Sequence, residues 1–115
     1  MKKKFAFIVL HFQAIKDTVD CIESLLKLDR NDDAKIIVVD NNSPNDSGSK
    51  LVKKFANYQN VEVIINKINL GYAKGNNVGI RRAKIFSPDY FIVINNDTVI
   101  KQKSFLSIIE ESSKD

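Results

Sequence analysis

Cysteine and histidine occur once each among the 115 residues, and tryptophan does not occur. A lone Cys21 closes no internal disulfide, and one Cys with one His cannot assemble a zinc cluster, so core packing is the role left to Cys21. Long apolar runs are missing too: nothing approaches the roughly 18 to 20 residues that span a bilayer. The start, Met1-Lys2-Lys3-Lys4 before Phe5 to Leu10, lacks a small-residue cleavage site. These absences predict a cytoplasmic protein. The glycine-rich signatures of dinucleotide and P-loop sites, G-x-G-x-x-G and G-x-x-x-x-G-K-[ST], are absent, which argues against hydride transfer and ATP hydrolysis. A receiver domain is disfavoured as well, because His11-Phe12-Gln13 and Asn66-Lys67 stand where its paired acid and acceptor Asp belong.

Positive charge is in modest excess, at +4. It comes from scattered lysines, with runs only at Lys2–Lys4 and Arg81-Arg82, and no aromatics interleave with them. Such charge reads as solvated surface, and nucleic acid is not expected as a partner. Hydrophobic content of 43% and charged content of 28% are ordinary for a globular chain of one domain, 1–115.

What is present is an alternation of apolar runs and helical patterns. Phe5 to Leu10 reads as a buried strand, Ala34 to Val39 as a second, Val61 to Ile65 as a third, and Tyr90 to Ile94 as a fourth covered on both faces. Between the first two, Val19, Ile22, Leu25, Leu26 and Leu28 recur at helical spacing, with Asp17 as N-cap and Asp20 in the first turn. Leu51, Val52 and Phe55 mark a short second helix, and Ser87-Pro88-Asp89 ends a third. Phe105 to Ile109 with Ser104 as cap marks a fourth, and Glu110 and Glu111 read as its solvated end.

Three of the four glycines fall at Gly71, Gly75 and Gly79. Inside a helix each costs about 1 kcal/mol against Ala, and spacing of four places them on nearly one face beside Asn76 and Asn77. Small residues permit close approach, and amides offer hydrogen bonds to whatever approaches.

Four strands alternating with helices predict an α/β fold, a Rossmann-like, mostly parallel sheet in the order 3-2-1-4. In such a sheet ligands sit beyond the carboxyl ends of the strands. His11 to Gln13, Asp40 to Asn42 and Asn95 to Asp97 would open on that rim, with Asn69 to Asn77 beside them. One acid among neutral amides suits a hard divalent cation or a sugar hydroxyl.

Three ordered motifs carry a resemblance: Val38-Val39-Asp40-Asn41-Asn42-Ser43, then Asn69-Leu70-Gly71-Tyr72-Ala73-Lys74-Gly75-Asn76-Asn77-Val78-Gly79-Ile80, then Ile94-Asn95-Asn96-Asp97-Thr98. From about Phe5 to Phe105 the chain resembles the amino-terminal half of family 2 glycosyltransferases of the GT-A fold, in particular rhamnosyltransferase-like enzymes of bacterial surface polysaccharide synthesis. The resemblance implies transfer of a sugar from a nucleoside-diphosphate donor of UDP or dTDP type to a saccharide or lipid-linked acceptor. It implies that Asp40 hydrogen-bonds the pyrimidine base and that His11, Gln13, Asn42, Asn69, Gly71, Gly75 and Asn77 lie against the nucleotide. It places Asn95 against the ribose or sugar, Asn96 beside it, and Asp97 on a Mg²⁺ or Mn²⁺ bridging the diphosphate, with Asp97 carrying catalysis.

The chain departs from that pattern at Asn95, which replaces the first acid of the D-x-D motif, and at Gln13, which replaces an Asn. The family's acceptor-binding half and general base would begin after residue 115, so the 1–115 domain is expected to be the donor-binding half, inactive alone. The full enzyme would associate peripherally with the inner face of the membrane. The competing expectation is a non-catalytic interaction domain that self-associates through an exposed sheet edge or binds a partner chain.

Overall fold

Apolar runs become the two central strands, as their composition requires. In the computed structural model, which describes residues 2–114, β1 (Phe5–His11) and β2 (Ala34–Asp40) lie side by side, with β3 (Val61–Ile65) outside β2 and β4 (Tyr90–Asn95) outside β1. All three pairings are parallel, and the order β3-β2-β1-β4 is the predicted one. A strand paired on both edges and covered on both faces has no position for a polar side chain. Phe5 to Val9 accordingly are at most 1% exposed.

Four helices cover the sheet: α1 (Ile15–Leu26), α2 (Ser47–Lys54), α3 (Tyr72–Ala83) and α4 (Phe105–Ser112). The larger core lies on one face, where Phe5, Phe7, Val9, Ile36 and Val38 meet Cys21, Ile22 and Leu25 of α1, Leu51 of α2 and Leu106 of α4. On the other face Ala6, Ile8, Ile37 and Val39 meet Ala83 of α3, with Val78 and Ile80 packed around them. Two stacked aromatic pairs, Phe5 with Tyr90 and Phe7 with Phe105, tie β4 and α4 to β1.

Several local expectations change. α1 begins two residues before Asp17, with Ala14 at its N-cap, so Asp17 sits in the first turn and complements the helix dipole there. Ser104 does occupy the N-cap of α4, but its side chain makes no capping bond. Glu110 is not a solvated helix end: its carboxylate lies 3.0 Å from Arg30, which also holds Asp33 and stacks over Phe5. Strand β4 is not covered on both faces either. Its burial alternates, leaving Phe91 and Val93 each 41% exposed, because α3 lies over β1 and β2 and no described element covers β4 on that side.

The glycines of α3 explain how that helix lies so close to the sheet. A Cβ on Gly79 would stand 2.7 Å from Ile8 Cγ2 and 3.0 Å from Val39 Cγ2, both stiff β-branched side chains of the core. Gly79→Ala should therefore destabilise the fold by up to roughly 2 kcal/mol, overpacking of about 1 to 3 set against a helix-propensity gain of about 1. A lower urea midpoint at unchanged slope is the expected reading. A raised midpoint would show that α3 can lift from the sheet without cost.

Candidate functional site at the carboxyl rim of the sheet

Parallel register decides which residues share the rim. His11 is paired with Asp40 and Leu10 with Asn95, so β1, β2 and β4 end level with one another. The ends of β1 and β4 and the residues just after them, together with Tyr72 at the start of α3, line a cleft of about 320 Å³ formed by Leu10, Phe12, Tyr72, Ile94, Asn95, Asn96 and Asp97. A hollow of about 420 Å³ between α1 and residues 99–103 is larger, but no strand end opens into it.

Asp40 ends β2 and is only 2% exposed. Its Oδ1 accepts from the Ser43 backbone N–H at 3.1 Å and from the Ser43 hydroxyl at 2.5 Å, while Oδ2 lies against Gly48 in the first turn of α2, where any Cβ would collide with it. A carboxylate so placed is stabilised by the helix amino terminus. The next residue, Asn41, organises the loop before α3. Its Oδ1 accepts from Leu70 N–H at 2.9 Å and from Asn66 at 3.3 Å, and its Nδ2 donates to Asn69 Oδ1 at 3.0 Å and to the Gly71 carbonyl at 3.1 Å. Asn69 Oδ1 in turn accepts from Gly71 N–H at 2.8 Å. Gly71 holds φ +81°, a left-handed value that favours glycine, as it turns the chain into α3.

His11 is fully buried between Thr18 of α1 and Ser47 of α2, its Nδ1 2.6 Å from Thr18 Oγ1 and its Nε2 2.7 Å from Ser47 Oγ. Burial lowers its pKa below the ordinary 6.5, opposed in part by the charge of Asp40. Cys21 lies buried below the β4 loop, its pKa pushed up to about 12 by burial and by the nearby charge of Asp97.

The rim therefore gathers the predicted residues but sorts them by access. Gln13, Asn42, Asn69, Gly71, Asn77, Asn95 and Asp97 are exposed, and Asn96 is half-buried. His11 and Asp40 are buried and hydrogen-bonded within the chain. Gly75 is a packing residue: a Cβ there would meet Leu10 Cδ1 at 2.7 Å and Asn41 Nδ2 at 3.2 Å. Asn77 is exposed, whereas Asn76 is 5% exposed and its Oδ1 has no hydrogen-bond partner among the described residues. Sequence reasoning gave no part in the site to Thr18 or Ser47, and treated Phe12, Asn41, Ser43 and Tyr72 only as members of a segment or motif. An apolar or hydroxyl side chain at a strand end carries no chemical signature until its neighbours are known.

An all-parallel 3-2-1-4 sheet with a polar cleft at its carboxyl rim is the architecture of a nucleotide-binding α/β domain. The chain belongs to glycosyl transferase family 2, whose family model matches residues 6–115. Comparison with curated proteins finds none that matches. Among solved structures, residues 1–349 of S. aureus TarS in complex with UDP-GlcNAc superpose with a TM-score of 0.80 at 25% identity, covering 94% of this chain and 30% of that one. The mannosyltransferase PcManGT from Pyrobaculum calidifontis, in complex with GDP-Man and Mn²⁺, gives a TM-score of 0.87 at 14% identity, covering 100% of this chain and 33% of that one. This chain thus spans about a third of the length of those two proteins, and the shared fold is GT-A.

The lowered pKa of His11 makes a pH prediction. Below about pH 6.5 the unfolded chain takes up a proton that the native protein accepts only at lower pH, so stability falls as pH drops through that window and is unaffected by His11 above it. His11→Gln should lose less stability than the wild type between about pH 7 and pH 5, read from urea midpoints at each pH. Equal losses would mean that His11 titrates alike in both states.

Proposed function

We propose that this chain is the donor-binding half of an inverting glycosyltransferase. It would grip a nucleoside-diphosphate sugar of UDP or dTDP type for transfer to a saccharide or lipid-linked acceptor in surface polysaccharide synthesis. The observation that carries the proposal is the cleft itself. Asp97, Asn95 and Asn96 converge at the end of β4, facing Tyr72 at the first turn of α3. No side chain caps that helix, so its leading N–H groups and dipole favour a phosphate there. TarS and the mannosyltransferase, in complex with UDP-GlcNAc and with GDP-Man, support a nucleotide sugar as the ligand class.

The donor set fits a divalent cation. Asp97 offers an exposed carboxylate beside two amide oxygens, an all-oxygen environment that suits Mg²⁺ or Mn²⁺. Among the described residues no three His, Cys, Asp or Glu side chains gather to hold an ion unaided, so binding would draw its remaining oxygens from the donor's phosphates. A bound ion would act as a Lewis acid, stabilising the charge that develops on the departing diphosphate.

The chain's own residues do the rest. Asn95 orients the ribose or sugar through its exposed amide, and Phe12 and Tyr72 supply aromatic walls of the cleft. Asn69 and Gly71 shape the nucleotide side through the hydrogen bonds of Asn41. Asp40 holds the loop that carries Asn42 and Ser43, so the base would meet that loop's exposed atoms. Among the described residues Asp97 is the sole acid lining the cleft, and Glu110 is committed to Arg30. The base that deprotonates the acceptor is therefore assigned outside this chain.

A second reading rests on Phe91 and Val93, which leave an apolar strip on β4 next to its unpaired edge. On that reading the chain is an interaction domain, covered by a second copy or a partner.

Titration calorimetry with UDP, dTDP and GDP, with and without Mn²⁺, separates the two. The donor-binding reading expects binding strengthened by Mn²⁺, with Asp97→Asn abolishing the metal-dependent gain. Absence of binding together with a defined oligomer in solution would favour the interaction domain. Sugar transfer by this chain alone would overturn the assignment of the base elsewhere.

A further inference from the structure

Beneath the cleft a chain of side-chain hydrogen bonds crosses from α2 to the loop after β4. Ser47 Oγ lies 2.7 Å from His11 Nε2, His11 Nδ1 lies 2.6 Å from Thr18 Oγ1, and Thr18 Oγ1 accepts from Asn96 Nδ2 at 3.1 Å. Ser47, His11 and Thr18 are at most 1% exposed. Asn96 immediately precedes Asp97. Two further ties reach the same loop from α1: Cys21 Sγ approaches the Asn95 carbonyl at 3.8 Å, and Ser24 Oγ accepts from Ile100 N–H at 3.1 Å. Thr18, Cys21 and Ser24 recur every three residues and so share one side of α1.

Proton bookkeeping assigns a direction to the network. Thr18 has one hydroxyl proton and three partners: the Ala14 carbonyl at 3.2 Å, His11 Nδ1 and Asn96 Nδ2. The Ala14 carbonyl can only accept and Asn96 Nδ2 can only donate. All bonds are satisfied together when Thr18 donates to Ala14, His11 donates from Nδ1 to Thr18, and Ser47 donates to His11 Nε2. His11 is then the neutral Nδ1–H tautomer, and Thr18 oxygen has both lone pairs engaged, one of them holding Asn96.

We infer that Thr18 is a positioning residue: backed by His11, it fixes Asn96 and thereby aims the Asp97 carboxylate into the cleft. The inference rests on the donor-binding reading for its functional meaning, but the positioning itself is a property of the unliganded chain. An ordered first shell requires a supporting shell that locks its rotamers. Without the Thr18 contact, the described hydrogen bonds of residues 96–99 reduce to the Thr98 N–H bond to the Asn95 carbonyl.

Two measurements without ligand test it. His11 is the single histidine of the chain, so a long-range proton–nitrogen NMR spectrum shows one imidazole, and the Nδ1–H pattern is expected; an Nε2–H pattern would overturn the assigned direction. Amide hydrogen exchange at residues 96–100 should accelerate in Thr18→Val and return to wild-type rates in Thr18→Ser, which keeps the hydroxyl. Unchanged exchange in Thr18→Val would overturn the positioning role. If Thr18→Val does not fold, Asn96→Ala cuts the outer link with the buried pair intact and must show the same acceleration. With ligand, Thr18→Val should cut the Mn²⁺-dependent gain in UDP affinity by roughly fivefold, the size of one lost hydrogen bond, leaving metal-free affinity unchanged. Wild-type protein that binds no nucleoside diphosphate would refute the donor reading while the tautomer and exchange results still decide the inference.

Discussion

The parallel pairing of β1 with a neighbour on each edge is the constraint from which the rest of the molecule follows. Because its backbone groups are satisfied on both sides and its side chains are buried on both faces, β1 tolerates only apolar residues until its last position. Its register then sets where β2 and β4 stop. The polar residues just past those stops are brought to one rim by the sheet, not by any attraction among themselves. Helices on both faces follow from the same constraint, since parallel strands need crossovers and the crossovers must cover the faces.

Burial at the rim is arranged in two layers. The lower layer, made of Asp40, Asn41, His11, Thr18 and Ser47, is closed to solvent, and its hydrogen bonds stay within the chain. It positions an upper layer of exposed groups, among them Asn69, Asn95 and Asp97. Burying polar groups is costly unless they are paired, and pairing to neighbours from different elements makes the lower layer a set of cross-links. β1 is tied to α1 and α2 through His11, β2 to the loop before α3 through Asn41, and α1 to the loop after β4 through Thr18. Asn76 stands apart, its buried amide oxygen without a hydrogen-bond partner among the described residues.

Two faces of the molecule differ in completeness. The face under α1, α2 and α4 encloses the larger core. The opposite face is covered by α3 over β1 and β2, while Phe91 and Val93 of β4 remain exposed beside an unpaired edge. The chain belongs to glycosyl transferase family 2 and matches about a third of the length of each of the two compared structures.

The strands, their order and the rim were legible in the amino-acid sequence. Apolar runs and the switch between periods of two and 3.6 are local signals, and handed crossovers leave few arrangements for four parallel strands. The three polar strand ends and the motif from Asn69 to Ile80 were equally legible, and through them the family. Access at each position was decided only by tertiary structure. Asp40 and Asp97 are both acids at strand ends, yet Gly48 and Ser43 enclose one while the other faces the cleft. Asn76 and Asn77 are identical neighbours, yet helical geometry rotates each residue by a hundred degrees and buries the first. Gly75 and Gly79 read as room for close approach without saying by what, and the structure sets Leu10, Ile8 and Val39 against them. Burial depends on atoms brought from distant parts of the chain, and residue type alone carries no record of which atoms those are.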